Sequence, residues 1–450
     1  MSRTYCIAGG GISGLVAAHR IRAAAGPDAE IVLFDPADRL GGVLRTERLG
    51  GRPMDVGAEA FVARRPEVVA LLAELGIAGR RITTTGVRPA IYSEGRLHPL
   101  PTGAVNGIPG TAESVAGLVD RATVATIAAE AGRPLSWQPG GDPSVGDLVA
   151  ERFGEQVVTR SVDPMLTGVY AGSAATIGLR SAAPTVAAGL DAGAGSLSAA
   201  VSRALPGPTA GPVFAAVDGG YQVLVDALVA ASGMRWVQAP VTRLDAEGTG
   251  WTVTDGAGGT VHADAVVVAL PAPQASELLT ATAPEAASAT ARVAVASAVV
   301  LAMAVPAGTA FPPQSGVLVA TGEPLHAKAI TLSSRKWGRR GGEELLRISF
   351  GRFGDDIARS TSEEDLLAWA LADLREVFGI AVRPVEVLVH RWIDALPQYG
   401  PGHGDLAAAI RAALPTTLAL AGNYLDGVGV PACVAAAGRA AADVLAATDD

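Results

Sequence analysis

The hydrophobic pattern at the start of the chain predicts a strand–helix–strand unit. Residues 4–9 (TYCIAG) form a short apolar run of strand length, and residues 12–25 are an alanine-rich segment typical of a helix. A second apolar run, residues 30–35 (EIVLFD), comes after about 30 residues in all, the length of a parallel crossover unit. The chain therefore begins with two parallel strands joined by a helix.

Further along, helical and strand-like segments alternate. Helices are predicted over 66–75, most of 111–160, from the Val217–Gly220 turn to about 232, and 362–378, where acidic residues open the helix. Residues 88–101 read as a hairpin turning at Glu94-Gly95, and residues 184–212 as a loop with a short helix. Strands are predicted at 235–246, 250–255, 260–269, 293–305 and 347–353, and the C-terminal region reads as a strand, a glycine-rich turn and a helix.

The chain thus starts and ends with the same order of strand, glycine-rich turn and helix. This order predicts an α/β protein, α+β overall, in which a discontinuous Rossmann-like nucleotide-binding domain carries an inserted domain of mixed sheet plus helices. The nucleotide-binding domain is assigned to residues 1–87, 213–290 and 391–450. The inserted domain is assigned to residues 88–212, mainly helical, and residues 291–390, a sheet and a helix.

Composition narrows the function classes. The chain has 450 residues, 49% hydrophobic and 18% charged, and a net charge of −9, so no basic excess is present to bind nucleic acid. The two cysteines, Cys6 and Cys433, exclude a disulfide scaffold and fit a reducing cytoplasm. The longest apolar stretch, 293–305, is shorter than the roughly 20 residues of a membrane span. No transmembrane segment is expected, and a peripheral membrane contact stays open.

The first turn carries a dinucleotide-binding pattern. Gly9, Gly11 and Gly14 have the G-x-G-x-x-G spacing, after a predicted strand and at the start of a predicted helix. Such glycines permit a tight turn, close approach of a pyrophosphate, and packing of helix on strand. Asp35 ends the next strand, where a carboxylate can accept hydrogen bonds from ribose hydroxyls. The pattern alone fits NAD or FAD.

Two later motifs resemble the amine-oxidase-type flavoprotein superfamily, which binds FAD. They are Arg39-Leu40-Gly41-Gly42 and Asp55-x-Gly57-Ala58-Glu59. The resemblance implies that the 39–43 backbone passes the pyrophosphate and flavin, that 57–59 lines the isoalloxazine, and that Val241 contacts the adenine. The implied FAD-binding residues in this part of the chain are Gly9, Gly10, Gly11, Ile12, Ser13, Gly14, Asp35, Arg39, Gly41, Gly42, Val43, Gly57, Ala58, Glu59, Ala60 and Val241.

The C-terminal segment 422–441 resembles the second flavin motif of that superfamily. Gly422, Val428, Gly429 and Val430 are its candidate FAD contacts, at the N-terminus of the final helix, where the helix dipole favours an anionic reduced flavin. Cys433 lies in the first turn of that helix. Buried packing is the favoured interpretation for its side chain, and a low-pKa thiolate is the alternative.

Within the superfamily the chain resembles the porphyrinogen oxidases of haem biosynthesis. The resemblance rests on segments 57–76, 95–103, 163–172 (DPMLTGVYAG), 392–403 (WIDALPQYGPGH) and the C-terminal motif. It implies a six-electron oxidation of a porphyrinogen in three hydride transfers to FAD, with O2 as acceptor and H2O2 as product. Coproporphyrinogen III is the favoured substrate and protoporphyrinogen IX the alternative, and a ferrochelatase is the candidate acceptor of the product.

A substrate with propionates on an apolar disc needs apolar walls and a few cations. Arg64, Arg65 and Arg88 are the candidate cations, each with a solvated surface role as the alternative. The resemblance adds Gly168, Val169 and Tyr170 as pocket residues. No catalytic side chain is expected because the flavin accepts the hydride. No metal site is expected, since the six histidines are scattered. His403 is given a structural role, with a role beside the flavin as the alternative.

Three other functions remain open at this point. An amine oxidase would be expected to place an aromatic cage near the flavin, whereas only 4% of this chain is aromatic and the C-terminal motif offers Tyr424 alone. A carotenoid desaturase is another member of the superfamily. A catalytically silent flavin-binding protein is disfavoured by the intact glycines at both ends of the flavin site.

Overall fold

Two β-sheets, one of five strands and one of seven, organise the structure. The computed structural model describes residues 3–207, 211–338 and 342–449. The described residues also form two sheets of two strands and two sheets of three strands. The strands, in chain order, are β1 (Thr4–Ala8), β2 (Glu30–Phe34), β3 (Thr46–Leu49), β4 (Arg52–Asp55), β5 (Phe61–Val62), β6 (Arg81–Thr83), β7 (Ala90–Ser93), β8 (Arg96–Pro99), β9 (Ala104–Val105), β10 (Ile108–Pro109), β11 (Phe214–Val217), β12 (Arg235–Val237), β13 (Val241–Glu247), β14 (Gly250–Asp255), β15 (Thr260–Ala263), β16 (Ala265–Val268), β17 (Val295–Val305), β18 (Gly316–Val319), β19 (Ala329–Thr331), β20 (Glu344–Phe350), β21 (Glu386–Pro397) and β22 (Leu418–Leu420).

Helices pack on one face of the five-stranded sheet, a three-stranded sheet and further helices pack on the other, and more helices form a separate layer in the middle of the chain. Short 3₁₀ turns occur at Ala78–Arg80, Ala112–Val115 and Glu130–Gly132, and a π-helical turn at Val158–Val162. The α-helices are α1 (Ile12–Ala25), α2 (Pro66–Glu74), α3 (Arg121–Ala129), α4 (Val145–Phe153), α5 (Glu155–Val157), α6 (Asp163–Tyr170), α7 (Leu179–Ala182), α8 (Pro184–Asp191), α9 (Leu197–Ala204), α10 (Gln222–Ser232), α11 (Ala272–Leu279), α12 (Pro284–Ala291), α13 (Ser333–Lys336), α14 (Ile357–Ser360), α15 (Glu363–Phe378), α16 (His403–Ala412) and α17 (Val430–Asp449).

The five-stranded sheet is parallel throughout, in the order β12-β2-β1-β16-β22. Its central strands are buried on both faces, as in β16, where Ala265–Val268 is apolar at every position. Because all strands run the same way, the turns after β1, β2, β16 and β22 meet at one edge. That edge is where open α/β sheets bind nucleotides.

Helices α1 and α17 pack against one another on one face of this sheet. Leu15, Val16 and Ile21 of α1 share a buried cluster with Cys433 and Ala437 of α17. The many alanines of the two helices let their backbones approach closely. Helix α17 joins the sheet from the far end of the sequence, beside β22, which pairs with β16.

The seven-stranded sheet is mixed, in the order β21-β17-β20-β19-β18-β7-β8. Every neighbouring pair is antiparallel except β18 with β7. Helix α15 covers one face with Leu366, Ala370 and Leu374, and Ser362 caps its first turn by accepting a hydrogen bond from the Asp365 N–H at 3.0 Å. The opposite face is directed toward β3, α6 and the segment after β4.

The helices between residues 121 and 204 enclose a core of their own, centred on Phe153, Val157 and Leu166. An ion pair lies inside this layer: Arg152 Nη2 and Glu130 Oε1 are 2.8 Å apart, and their side chains are 1% and 0% exposed. The Glu130 carboxylate also accepts hydrogen bonds from the N–H groups of Leu197 and Ser198, so the pair ties the start of α9 to α4.

Most predicted elements are confirmed, and three predictions were wrong in detail. The described part of 184–212, which leaves out 208–210, holds two helices, α8 and α9, since apolar residues recur at helical spacing among the small residues. The strands predicted at 235–246 and 260–269 are each two strands. In both cases the chain leaves one sheet and enters another, because β12 and β16 pair in the parallel sheet while β13 and β15 pair with β14.

The predicted domain boundaries remain predictions. Two features bear on these boundaries. First, β7 and β8, from the first inserted segment, belong to the same sheet as β17 to β21. Second, strand β21 runs from Glu386 to Pro397, across the predicted boundary at 390/391.

Candidate functional site

The turn after β1 needs its glycines for different reasons. A Cβ on Gly14 would lie 1.9 Å from the Gly9 carbonyl oxygen, and one on Gly9, whose φ is +108°, would lie 2.4 Å from the Ala269 oxygen. These two positions hold helix and strand together. A Cβ on Gly11 would meet nothing within 4 Å, although Gly11 stands at the start of α1. The space at Gly11 is therefore open at a helix N-terminus, as a bound pyrophosphate requires.

Asp35 stands beside the same turn. Its Oδ2 accepts a hydrogen bond from the Gly10 N–H at 2.6 Å and its Oδ1 one from the Ala37 N–H at 2.9 Å. The carboxylate is thereby fixed at the sheet edge and stays partly exposed. Val241 lies nearby, four residues after Val237, whose carbonyl accepts from the Asp35 N–H. Both positions suit the ribose and adenine contacts predicted for them, which stay predictions.

The segment 39–43 lies on the first turn. The Gly41 N–H donates to the Gly10 carbonyl at 2.8 Å, and a Cβ on Gly42 would lie 3.1 Å from the Gly11 Cα. The Arg39 guanidinium donates to the carbonyls of Leu40, Gly42 and Leu44 and so shapes its own loop. Burial, reinforced by the charge of Arg45, lowers the Arg39 pKa. A direct contact of Arg39 with the cofactor remains a prediction.

Residues 57–60 continue this wall. A Cβ on Gly57 would lie 1.9 Å from the Val43 carbonyl oxygen, which also accepts from the Ala58 N–H at 3.1 Å. The Gly57 carbonyl accepts from Arg347 Nη2 at 2.7 Å, and Trp392 Nε1 donates to the Val56 carbonyl at 2.8 Å. Backbone contacts therefore lead without a break from Gly11 through Gly42 and Val43 to Gly57. This continuous surface is called the cradle below.

Glu59 forms a buried charge cluster that the sequence did not indicate. Its carboxylate accepts from Lys336 Nζ at 2.6 Å and Ser333 Oγ at 2.7 Å, and Arg347 Nη1 lies 3.8 Å away. Burial raises the Glu59 pKa, but the charges of Lys336 and Arg347 outweigh it and lower that pKa to about 2. These partners lie more than 270 residues away in sequence, and no motif marks them.

The C-terminal turn is held by the segment after β21. The Tyr399 hydroxyl accepts from the Gly427 N–H at 3.0 Å and donates to the Asn423 carbonyl, and His403 Nε2 is 2.9 Å from the Tyr424 carbonyl. Both side chains are buried, as the structural role predicted for His403 requires, and that role stays a prediction. Val428 and Gly429 are at least partly exposed at the start of α17, Val430 is buried, and Gly422 packs on the Tyr424 ring.

Cys433 lies in the first turn of α17, facing Ser13 in the first turn of α1. Burial raises the pKa of its thiol to about 12, against a smaller opposing effect of the Ser13 hydroxyl. The thiol is therefore protonated at neutral pH, and packing is its role. The contact shows that the N-terminal ends of α1 and α17 are adjacent.

The predicted substrate residues fall into two groups. Arg64, Arg65 and Arg88 are exposed. Arg65 pairs with Glu67, Arg64 Nη2 donates to the Gly211 carbonyl at 3.3 Å, and Arg88 Nη2 is 3.5 Å from the Leu100 carbonyl. Three apolar side chains, Val62, Val213 and Phe214, are 37–45% exposed beside Arg64.

The other group lies at the end of α6. A Cβ on Gly168 would lie 3.6 Å from Leu318 of the seven-stranded sheet, and Val169 is 50% exposed. Tyr170 is buried in the helical core, 5.8 Å from the Tyr399 ring, and donates to the Ser181 carbonyl. Gln398 Nε2 donates to the Tyr170 carbonyl at 2.8 Å. Residues 398–399 therefore connect the end of α6 to the C-terminal turn. The sequence did not predict this connection.

Helix α17 is the one helix in the described parts of the chain that is long and apolar enough to cross a membrane. Its most apolar window has a mean hydropathy of 1.4 and is 56% buried. The buried side chains contact α1 and the parallel sheet, which accounts for their apolar character.

Comparison with known proteins agrees with this geometry. The family model for flavin-containing amine oxidoreductases matches residues 12–445. The chain is 62% identical over 447 residues to a coproporphyrinogen III oxidase of Mycobacterium tuberculosis (strain ATCC 25618 / H37Rv), covering 99% of this chain and 98% of that one. It is 28% identical to human protoporphyrinogen oxidase, covering 99% of each.

A crystal structure of a protoporphyrinogen oxidase-like protein from Exiguobacterium sp. 255-15 superposes with a TM-score of 0.88. It is 28% identical and covers 99% of both chains. The cradle fits the cofactor of such proteins, because the space beside Gly11 at the N-terminus of α1 is open. The space beside Gly9 and Gly14 is instead occupied by neighbouring backbone atoms. The chain therefore belongs to the family of flavin-containing amine oxidoreductases, and its cofactor is FAD.

Proposed function

We propose that this flavoenzyme oxidises coproporphyrinogen III to coproporphyrin III. The observation that carries the proposal is the 62% identity to a coproporphyrinogen III oxidase over nearly the whole of both chains. The oxidation removes three hydrides and three protons from the macrocycle. When bound, FAD supplies the acceptor for each hydride, and three molecules of O2 take up the electrons and protons as three H2O2.

The chain's own residues bind and orient the macrocycle. Val62, Val213 and Phe214 offer exposed apolar surface to a disc, and Arg64 lies at its margin. The Arg88 guanidinium has a single long contact, to the Leu100 carbonyl, among the described residues, so it is available to a propionate. Arg65 is engaged by Glu67, which makes it the weakest of the three candidates. Val169, half exposed at the end of α6, supplies a second apolar contact.

The setting of this reaction is also part of the proposal. A substrate with four propionates is water-soluble, which suits an enzyme of the cytoplasm. The product is a free porphyrin, and a ferrochelatase is the class of enzyme that would receive it.

Purified protein carrying its FAD tests the reaction. Anaerobically prepared coproporphyrinogen III and protoporphyrinogen IX are supplied separately under air, and porphyrin fluorescence and H2O2 are recorded. The expected result is faster porphyrin formation from coproporphyrinogen III, with three H2O2 per porphyrin. A clear preference for protoporphyrinogen IX would overturn the substrate, and neither porphyrin nor peroxide from either compound would overturn the oxidase. Boiled protein controls for spontaneous oxidation.

A further inference from the structure

The charge cluster of Glu59, Lys336 and Arg347 is shielded from water. The three side chains are 10%, 21% and 10% exposed, and two cations face one carboxylate within 4 Å. Charges in such surroundings act over longer distances than surface charges, because little solvent and salt screens them. The cluster therefore places an excess positive charge at a fixed point of the fold.

That point adjoins the cradle. Arg347 holds the Gly57 carbonyl, and Gly57 packs against Val43 in the wall that begins at Gly11. Asp35 stands at the other end, where the ribose is expected. A dinucleotide laid along the cradle from Asp35 past Gly11 has its ring end toward Gly57. Arg347 Nε is buried and has no hydrogen-bond partner within the described ranges, so the guanidinium keeps one unused donor.

A second carboxyl, Asp55, belongs to the surroundings of the cluster. It accepts from the Tyr221 N–H at 3.0 Å and from Thr46 Oγ1 at 2.5 Å, and burial raises its pKa to about 6. Its hydrogen bonds tie it to β3 and α10. Asp55 also interacts electrostatically with Arg347 and Glu59, so its carboxylate partly offsets the positive charge of the cluster.

We propose that Glu59, Lys336 and Arg347 set the reduction potential of the bound flavin through their combined charge. Two-electron reduction adds negative charge to the ring, so a neighbouring cation favours the reduced form and a neighbouring carboxylate opposes it. The three residues act on the flavin through their charge, and none of them is assigned a contact with the substrate. The proposal rests on FAD being the cofactor and is independent of which porphyrinogen is oxidised.

A purely structural role is the competing explanation. The cluster joins the segment after β4 to α13 and β20, and an ion pair that only fastens these elements would affect stability without a preferred sign of charge. The two roles differ in one measurable respect. If charge sets the potential, removing the carboxylate and removing a cation must act in opposite directions.

The test measures the midpoint potential of the holoenzyme, without porphyrinogen, by anaerobic titration against reference dyes. Glu59→Gln should raise the potential and Lys336→Met should lower it, each by about tenfold in the two-electron equilibrium, or ~30 mV. The variant Lys336→Arg should have the wild-type midpoint potential, because it keeps the positive charge. Glu67→Gln removes an exposed carboxylate from the nearby Arg65 pair and should leave the potential unchanged.

The affinity for sulfite gives an independent readout, since sulfite adds to oxidised flavin more tightly when positive charge is near. It should strengthen in Glu59→Gln and weaken in Lys336→Met. The proposal would be overturned if the midpoint potentials of Glu59→Gln and Lys336→Met shifted in the same direction, if neither shifted, or if both variants lost their flavin. The charge cluster would then have only a structural role. Because no porphyrinogen is used, a negative oxidase assay would not affect this result.

Discussion

The edge of the five-stranded sheet and the inner face of the seven-stranded sheet build the two ends of the cradle in different ways. At the edge, the contacts are between backbone atoms: Gly9, Gly14 and Gly42 sit where a Cβ would strike another main chain. On the inner face, the contacts are between charges, with Glu59 held by Lys336 and Arg347. Substitutions at the glycine-rich turn should therefore act through steric clashes, whereas substitutions of buried charged residues should act through electrostatics. The following variants test this difference.

The largest effect is expected at the glycine-rich turn. Gly14→Ala places a Cβ 1.9 Å from the Gly9 carbonyl and should destabilise the protein by at least ~3 kcal/mol or prevent folding. Gly11→Ala meets no atom within 4 Å and should leave the FAD-free protein within ~0.5 kcal/mol of wild type, while FAD affinity falls roughly tenfold or more. Urea unfolding and FAD titration of the apoprotein measure both. Equal stability losses in the two variants would contradict this difference.

A buried charge in the helical layer gives the next effect. Arg152→Met leaves Glu130 buried without its cation and should cost about 3–5 kcal/mol in the free energy of unfolding. The matched control is Arg235→Met, which breaks a pair with Glu30 whose members are half exposed and should cost at most ~1 kcal/mol. Chemical denaturation compares them. Similar costs would mean that burial of the charge is not what matters.

Lys328 tests the same idea through pH. Burial lowers the pKa of this lysine to about 7, and Nζ donates to the Gly351 carbonyl. Above about pH 7 the unfolded chain binds a proton at this site that the folded chain does not, so wild-type stability gains from rising pH. Lys328→Met removes that gain, about 2 kcal/mol between pH 7 and roughly pH 8.5. Parallel stability curves for the two proteins would show that the amine is not buried as described.

The smallest effect concerns the exposed arginines. Arg88→Ala should raise KM for the porphyrinogen roughly tenfold with little change in kcat, because an ion pair to a propionate forms equally in the ground and transition states. Arg65→Ala should change KM by less than about twofold, since Glu67 already holds that guanidinium. Steady-state kinetics under air decide. A larger effect at Arg65 would reverse the assignment of the two residues.

The sequence predicted the edge of the small sheet well, because everything there is local. Gly9 to Gly14, Asp35 and Gly41-Gly42 fall within 34 residues, and a strand, a turn and a helix each leave a short-range pattern. The family resemblance extended this to Gly57 and to the C-terminal turn. The hydrophobic period also found β17 and α15, whose apolar faces are long enough to be unmistakable.

The charge cluster around Glu59 could not be predicted from the sequence, since its members are brought together only by the fold. Lys336 and Arg347 reach Glu59 because α13 and β20 pack behind the segment after β4, and no spacing in the sequence records that. The split of 260–269 into β15 and β16 was missed for a related reason. The two strands are separated by Asp264 alone, and their different partners, β14 for β15 and β1 for β16, are set only by the fold.

The presence of β1 and β22 in one sheet, and the packing of α1 on α17, have a consequence for how the protein folds during synthesis. The Tyr5 hydroxyl lies 3.0 Å from Thr448 Oγ1, so the sheet that binds FAD joins the two extremes of the chain. During synthesis the first strand–helix–strand unit emerges early and must wait, with one face of α1 uncovered, until Val430–Asp449 has left the ribosome. Contacts of such long sequence separation form late. The part of the FAD site at the start of α17 is therefore expected to form only after α17 has been synthesised and has packed on α1.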